Sequence, residues 1–186
     1  MIGVLLAGGR GQRLGGRPKA ALEVAGHPLA AYPAAALATV CERVALVAKP
    51  DSELPLLPGI ERWDEPPEPR HPLTGIVAAL ERAGDAVLVC GADMPYVTGD
   101  ACATLIAGGG AAPAVVAVAG GVVQPLFAVY APAALDALRG APPDARLTDT
   151  VEALRPGRVA LPPAIVASVN TPDDLAAAQA QLGATA

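Results

Sequence analysis

Hydrophobic positions come in short continuous runs separated by turn residues, and between the runs lie Ala-rich segments with helical spacing. Residues 2–6 (IGVLL), 44–48 (VALVA) and 86–90 (AVLVC) are apolar throughout, as expected of strands buried on both faces of a parallel sheet. Residues 60–63 predict a brief strand, 22–24 with the 25–28 turn a short strand and turn, and 114–118 with 122–130 a pair of strands. Residues 165–169 (IVASV) predict a last strand. Helices are predicted over 29–40, 76–83, 98–107 with Thr98 as N-cap, 132–139 opened by Pro132, and 148–154. The clearest helix start is Thr171-Pro172-Asp173-Asp174, with a Thr cap, Pro at the first position and acids in the first turn; this helix runs to about Leu182. Strands alternating with helices predict an α/β fold, three-layer α/β/α and Rossmann-like, on a mostly parallel sheet. With 186 residues and no internal repeat, the chain is expected to form one domain, 1–186.

Composition narrows the function classes. The net charge is −5, from 13 Lys+Arg against 18 Asp+Glu, with no basic face beyond the first loop, which argues against nucleic acid as the main partner. Residues 101–135 carry no charge and are long enough for a membrane span, but Gly108-Gly109-Gly110, Pro113, Gly120-Gly121 and Pro125 divide them into pieces too short to cross. No membrane partner is expected. The N-terminus lacks the basic region of a signal peptide, and Cys41, Cys90 and Cys102 form no CxxC, so a cytoplasmic protein with free thiols is expected. His27 and His71 are too scattered to argue for a metal site.

Four of the 13 cations (Arg10, Arg13, Arg17, Lys19) and five glycines (Gly8, Gly9, Gly11, Gly15, Gly16) fall in the loop after the first strand, LLAGGRGQRLGGRPKA. Glycine lets backbone N–H groups turn toward a ligand, and the cations add charge, so the loop reads as a cradle for a polyanion such as a nucleoside triphosphate. It is not a P-loop: Gly11 to Gly16 has the spacing, but Arg17-Pro18 stand where Lys and Ser or Thr are needed. It is not a dinucleotide fingerprint either, because Leu14 occupies the third glycine position. Asp93, in Cys90-Gly91-Ala92-Asp93-Met94-Pro95 just past a buried strand, is a natural Mg²⁺ ligand, since Mg²⁺ takes one or two carboxylates and its other ligands from phosphate and water. The loop, Asp64 and Asp93 all follow strands and can meet at one crevice.

The loop resembles the nucleotidylyltransferase signature LAGGxxxRMGxxK through Leu6-Ala7-Gly8-Gly9, Arg13, Gly15-Gly16 and Lys19, with Leu14 for the usual Met. The double glycine resembles the molybdenum cofactor guanylyltransferase branch, in which Asp precedes the Lys; here it is Pro18. Further resemblances are Gly91-Ala92-Asp93-Met94-Pro95 to CDxP, Asp64 with Pro72-Leu73-Thr74-Gly75 to D…GPLAG (His71 standing where the family has Gly), 124–130 (QPLFAVY) to xPLFALY, and 169–175 (VNTPDDL) to NxNTPEDL, whose first Asn is Ser168 here. A family Asn after the second strand has no counterpart near Lys49.

The resemblance implies a Mg²⁺-dependent transfer of GMP from GTP to molybdopterin with release of pyrophosphate. It implies nucleotide binding by Leu6, Ala7, Gly8, Gly9, Lys19, Asp64 and Asp93. Lys19 and Arg13 would stabilise charge, Asp93 would hold the metal, and Gln124, Pro125 and Asn170 would lie on the acceptor side. Phe127 and Tyr130 are read as core. The expected protein is a monomer that hands its product to a molybdoenzyme or its chaperone. Two alternatives stand beside this one: a related enzyme with CTP or another acceptor, and a nucleotide-binding subunit without catalysis.

Overall fold

The computed structural model describes residues 1–8, 18–142 and 144–184. Its centre is strand β1 (Ile2–Leu6), which runs parallel to β4 (Arg43–Ala48) on one side and β6 (Val87–Gly91) on the other. Between β1 and β4 come a small antiparallel hairpin, β2 (Glu23–Val24) with β3 (His27–Pro28), and helix α1 (Ala31–Ala38). Ala25 and Gly26 both have positive φ in the two-residue turn of that hairpin, as a primed turn requires.

The sheet continues through β5 (Glu61–Asp64), β7 (Ala114–Ala119), β8 (Val122–Tyr130) and β9 (Gly157–Ala160), in the order β5-β4-β1-β6-β8-β7-β9. β8 is antiparallel to both β6 and β7, and the other pairings are parallel.

Alternation along β1 explains the layers. Leu5 enters a core with Leu37 of α1 and Leu105 of α3 (Gly99–Ala107). Val4 enters a second core with Ile76 of α2 (Pro72–Ala83), Leu138 of α4 (Leu135–Arg139) and Val151 of α5 (Leu147–Ala153). Each fully buried Val or Leu contributes about 1.5–3 kcal/mol relative to exposure, so helices on both faces hold the sheet. The expected mixed α/β sheet with two helical faces is the observed one.

The last helix, α6 (Pro172–Gly183), packs against the hairpin through Val24, Leu29, Val169 and Ala178. It carries the predicted capping box, in which the Thr171 hydroxyl accepts from Asp174 N–H and the Asp174 carboxylate accepts from Thr171 N–H.

Three expectations are corrected. Residues 165–169 are not a strand: Pro163–Val166 form a 3₁₀ turn, with Pro163 at its first position, where a fixed φ and a missing N–H are tolerated. The last strand is instead β9, a half-exposed edge whose weak alternation gives no signal. Helix α2 begins at Pro72 rather than at 76, because His71 caps it and Pro72 takes the first helical position.

Candidate active site

The C-terminal ends of β5, β4, β1 and β6 open into one cavity of about 550 Å³. Its walls include Leu6, Ala7 and Gly8 from the end of β1, Val47 of β4 and Lys49 just after it, Glu65 after β5, His71, Pro72 and Gly75 at the start of α2, and Asp93 after β6. Ala7 N–H continues the ladder to Val47 O (3.0 Å), and Ala92 N–H reaches Leu6 O (3.0 Å), so this floor is built from backbone.

Lys19 opens a 3₁₀ turn, Lys19–Ala21, and its ammonium crosses the cavity mouth. Nζ donates to Asp93 Oδ2 at 2.9 Å and to Asn170 Oδ1 at 2.5 Å. Asp93 is placed by the tight turn after β6: Met94 N–H returns to Gly91 O, and Oδ1 stands over Gly91, where a Cβ would come within 2.9 Å. Asn170 is fixed from behind. Its N–H donates to Asp174 Oδ2 (2.9 Å), and Val169 N–H donates to Asp93 O (2.9 Å). The donors on Asp174, Asn170 N–H foremost, hold its carboxyl below the ordinary range. The last helix cap, the carboxylate and the lysine thus form one connected unit.

The other end of the cavity holds a buried ion pair. Lys49 and Glu65 are only 3% and 6% exposed, with Lys49 Nζ 3.4 Å from Glu65 Oε2. Lys49 spends its shorter bonds on the proline-rich loop, donating to Pro66 O (2.6 Å) and Pro69 O (2.8 Å). Glu65 Oε2 is left without a hydrogen bond of its own. Burial pushes the Glu65 carboxyl up, and the Lys49 charge opposes that shift. Gly75 lets α2 pass close to the site, since a Cβ there would meet Leu6 Cδ2 at 2.9 Å and Glu65 Oε2 at 3.1 Å.

The cavity gathers Leu6, Ala7, Gly8, Lys19, Asp93 and Asn170 among the residues selected from the sequence. Gly9 and Arg13 lie outside the described residues. Asp64 is elsewhere: alternation at the end of β5 buries Trp63 and Glu65 and leaves Asp64 exposed, where it accepts from Arg62 Nε at 2.9 Å. Glu65 takes the place in the wall expected of Asp64. Gln124 and Pro125 also stay out of the cavity wall. They stand where the β7–β8 register shifts, and the Tyr130 hydroxyl donates back to Pro125 O (2.8 Å), leaving Leu126 to line the cavity. Phe127 and Tyr130 are wholly buried, as expected of core. Sequence reasoning misses Lys49 and Glu65: Lys49 directly follows an apolar strand, but β5 (ERWD) is itself mostly charged, so Glu65 does not stand out.

A family described as MobA-like NTP transferase domain matches residues 3–159. The chain is 34% identical over 196 residues to a molybdenum cofactor guanylyltransferase of Cereibacter sphaeroides, covering 98% of this chain and 97% of the relative. It is 36% identical over 198 residues to one of Rhodobacter capsulatus, covering 98% and 96%. The fold is shared with molybdopterin-guanine dinucleotide biosynthesis protein A from Archaeoglobus fulgidus (TM-score 0.76, 23% identity, 99% of this chain and 100% of that one). It is shared as well with 2-C-methyl-D-erythritol 4-phosphate cytidylyltransferase from Thermus thermophilus (TM-score 0.67, 22% identity, 95% and 96%). A strand-end cavity with a lysine and a carboxylate in contact, a family match across most of the chain and relatives above 30% identity lead to one conclusion: the chain belongs to the MobA-like NTP transferase family and is a nucleotidyltransferase.

Proposed function

We propose that this enzyme transfers the guanylyl group of GTP to molybdopterin and releases pyrophosphate, acting as one domain. The observation that carries the proposal is the Lys19–Asp93–Asn170 cluster at the mouth of a cavity large enough for a nucleotide, in a chain whose relatives are named molybdenum cofactor guanylyltransferases. An oxygen of the terminal phosphate of molybdopterin forms a bond to the α-phosphorus of GTP. The bond from that phosphorus to the bridging oxygen breaks, and pyrophosphate carries the electron pair away. No covalent enzyme intermediate is needed, so the protein supplies positioning and charge.

Lys19 lies beside Asp93 at the mouth, where its ammonium meets charge developing on the α-phosphate. Arg13 lies outside the described residues, and the family resemblance assigns it to the leaving pyrophosphate in this proposal. Asn170 holds the Lys19 ammonium from the acceptor side. Asp93 fits Mg²⁺ by its chemistry: it is a hard carboxylate at a strand end in a cavity wall, with Oδ2 paired to Lys19, and it would hold the ion as one protein ligand. A Mg²⁺ held there would supply positive charge to the phosphates. Three buried free thiols support a reducing, cytoplasmic setting, from which the product passes to a molybdoenzyme or its chaperone.

The test is turnover with GTP, molybdopterin and Mg²⁺, followed by pyrophosphate release and by isolation of the dinucleotide. One pyrophosphate per guanine dinucleotide, with CTP inactive, is expected. Turnover with CTP and none with GTP would overturn the proposal.

A further inference from the structure

We propose that His71 is a specificity-determining residue of the nucleotide site, its Nε2–H donating to the carbonyl at position 6 of guanine; this rests on the guanylyl-transfer reading above. His71 is the N-cap of α2, and its Nδ1 accepts from Leu73 N–H at 3.2 Å. A neutral imidazole whose Nδ1 accepts must carry its proton on Nε2, so the cap fixes the tautomer and leaves one outward donor.

His71 lines the cavity at the end away from Lys19 and Asp93. With the phosphates at that pair after β6, the nucleoside extends across β1 and β4 toward β5. That is three strand spacings, roughly 14 Å, enough to separate phosphates from base. The base therefore meets the wall formed by Val47, Glu65, His71 and Pro72.

The donor is held rigidly. Pro69 O accepts from His71 N–H (3.0 Å), Thr74 Oγ1 (3.1 Å) and the buried Lys49 Nζ (2.8 Å), which pins the loop that carries the imidazole. One helical turn farther along, Glu65 Oε2 lies against Gly75 without a hydrogen-bond partner. This end of the cavity thus presents a donor and, one turn away, a carboxylate. Guanine offers an acceptor at position 6 and donors at N1 and the 2-amino group. Adenine offers an amino donor at position 6, which would oppose His71.

The side chain has two roles that substitution separates. In His71→Asn the amide oxygen still caps the helix, but the amide NH₂ takes the place of Cδ2 and stops short of the Nε2 position. In His71→Gln the amide nitrogen reaches the Nε2 position, but the cap is lost. We would measure binding of GTP, ITP and ATP by calorimetry with Mg²⁺ present, together with thermal melting, for wild type and both variants. The expected result is an unchanged melting temperature for His71→Asn with about a tenfold loss for GTP and for ITP, both of which carry the position 6 carbonyl, and no loss for ATP. His71→Gln should melt earlier and keep the preference for GTP. If the Asn variant melts early, His71→Ser, which also caps, takes its place.

Wild-type GTP affinity in the capping variant, or an equal loss for ATP, would overturn the role of His71 and leave guanylyl transfer standing. A wild-type protein without preference for GTP over ATP and CTP would overturn both.

Discussion

Lys19 Nζ lies 2.9 Å from Asp93 Oδ2 although 74 residues separate them. Parallel pairing brings them together. β1 and β6 are neighbours in the sheet, so the loops that leave the two strands emerge at the same edge. Asn170, 151 residues from Lys19, completes the contact because α6 docks on the hairpin that comes after the loop. Side-chain exposures of 18% and 24% put the pair at the mouth rather than in the core, so it adds little to folding and is available to a ligand.

Gly91 sets the position of Asp93. In Gly91→Ala the new Cβ would stand 2.9 Å from Asp93 Oδ1 and 3.2 Å from Met94 Cγ, so the carboxylate must move. Turnover is expected to fall about 100-fold, by displacement of a reacting group, with a stability loss of about 1–3 kcal/mol from overpacking. Turnover and urea unfolding of the variant check both, and normal turnover would show that the carboxylate tolerates displacement.

Lys49→Met leaves the Glu65 carboxylate buried without its partner. A loss of about 3–5 kcal/mol is expected at neutral pH, as for one broken half of a buried pair. The sign of the pH dependence comes from Glu65, whose folded carboxyl is raised above its unfolded value by burial. The folded state then binds the extra proton, so stability falls as pH rises through the window between the two values. Removing Lys49 widens that window. The deficit should therefore open above the ordinary carboxylate range and close as pH falls into it. Unfolding at neutral and mildly acidic pH decides it, and a constant deficit would contradict the assignment.

Thr171 and Asp174 hold Asn170 to the site. Thr171→Ala should cost about 1 kcal/mol through loss of the cap. It should also lower turnover, since Asn170 steadies Lys19. Asp174 is depressed in the folded state, mainly by Asn170 N–H, so the stability it supplies is present at neutral pH and lost as pH falls through the ordinary carboxylate range toward its folded value. Melting of Asp174→Asn should differ from wild type at neutral pH and converge with it in acid.

The three thiols should be inert while the protein is folded. Burial pushes Cys41 to about 11 and Cys102 to about 12, and holds Cys90 well above the ordinary thiol range. A colorimetric thiol reagent at neutral pH should titrate no thiol in the native state and all three in denaturant. Rapid labelling of the native protein would contradict their burial.

How legible each feature is in the sequence depends on how it is encoded. β1, β4 and β6 are buried on both faces, so their continuous apolar runs identify them, and Asp93 is found by tracing such a run to its end. The edge strand β9 buries one side weakly, and its alternation is too faint to stand out. The resemblance points to Asp64, whereas the pleat at the end of β5 turns Asp64 outward and brings Glu65 to the cavity wall, a one-residue difference that the sequence does not mark. The Lys49–Glu65 pair needs parallel pairing of β4 with β5 to exist at all, and no local pattern announces it. His71 stands out in the sequence as a departure from a family position, but its role as a cap emerges only with the true start of α2.

The most direct test of the central claim is pyrophosphate release at saturating GTP, molybdopterin and Mg²⁺ by wild type, Lys19→Met and Asp93→Asn. Both variants should fold as wild type does, because the pair lies at the cavity mouth. Each should lose about 100- to 1,000-fold in turnover, the usual scale for removing a group that stabilises developing charge. Folded variants that release pyrophosphate at the wild-type rate would show that the Lys19–Asp93 contact is not where the chemistry happens.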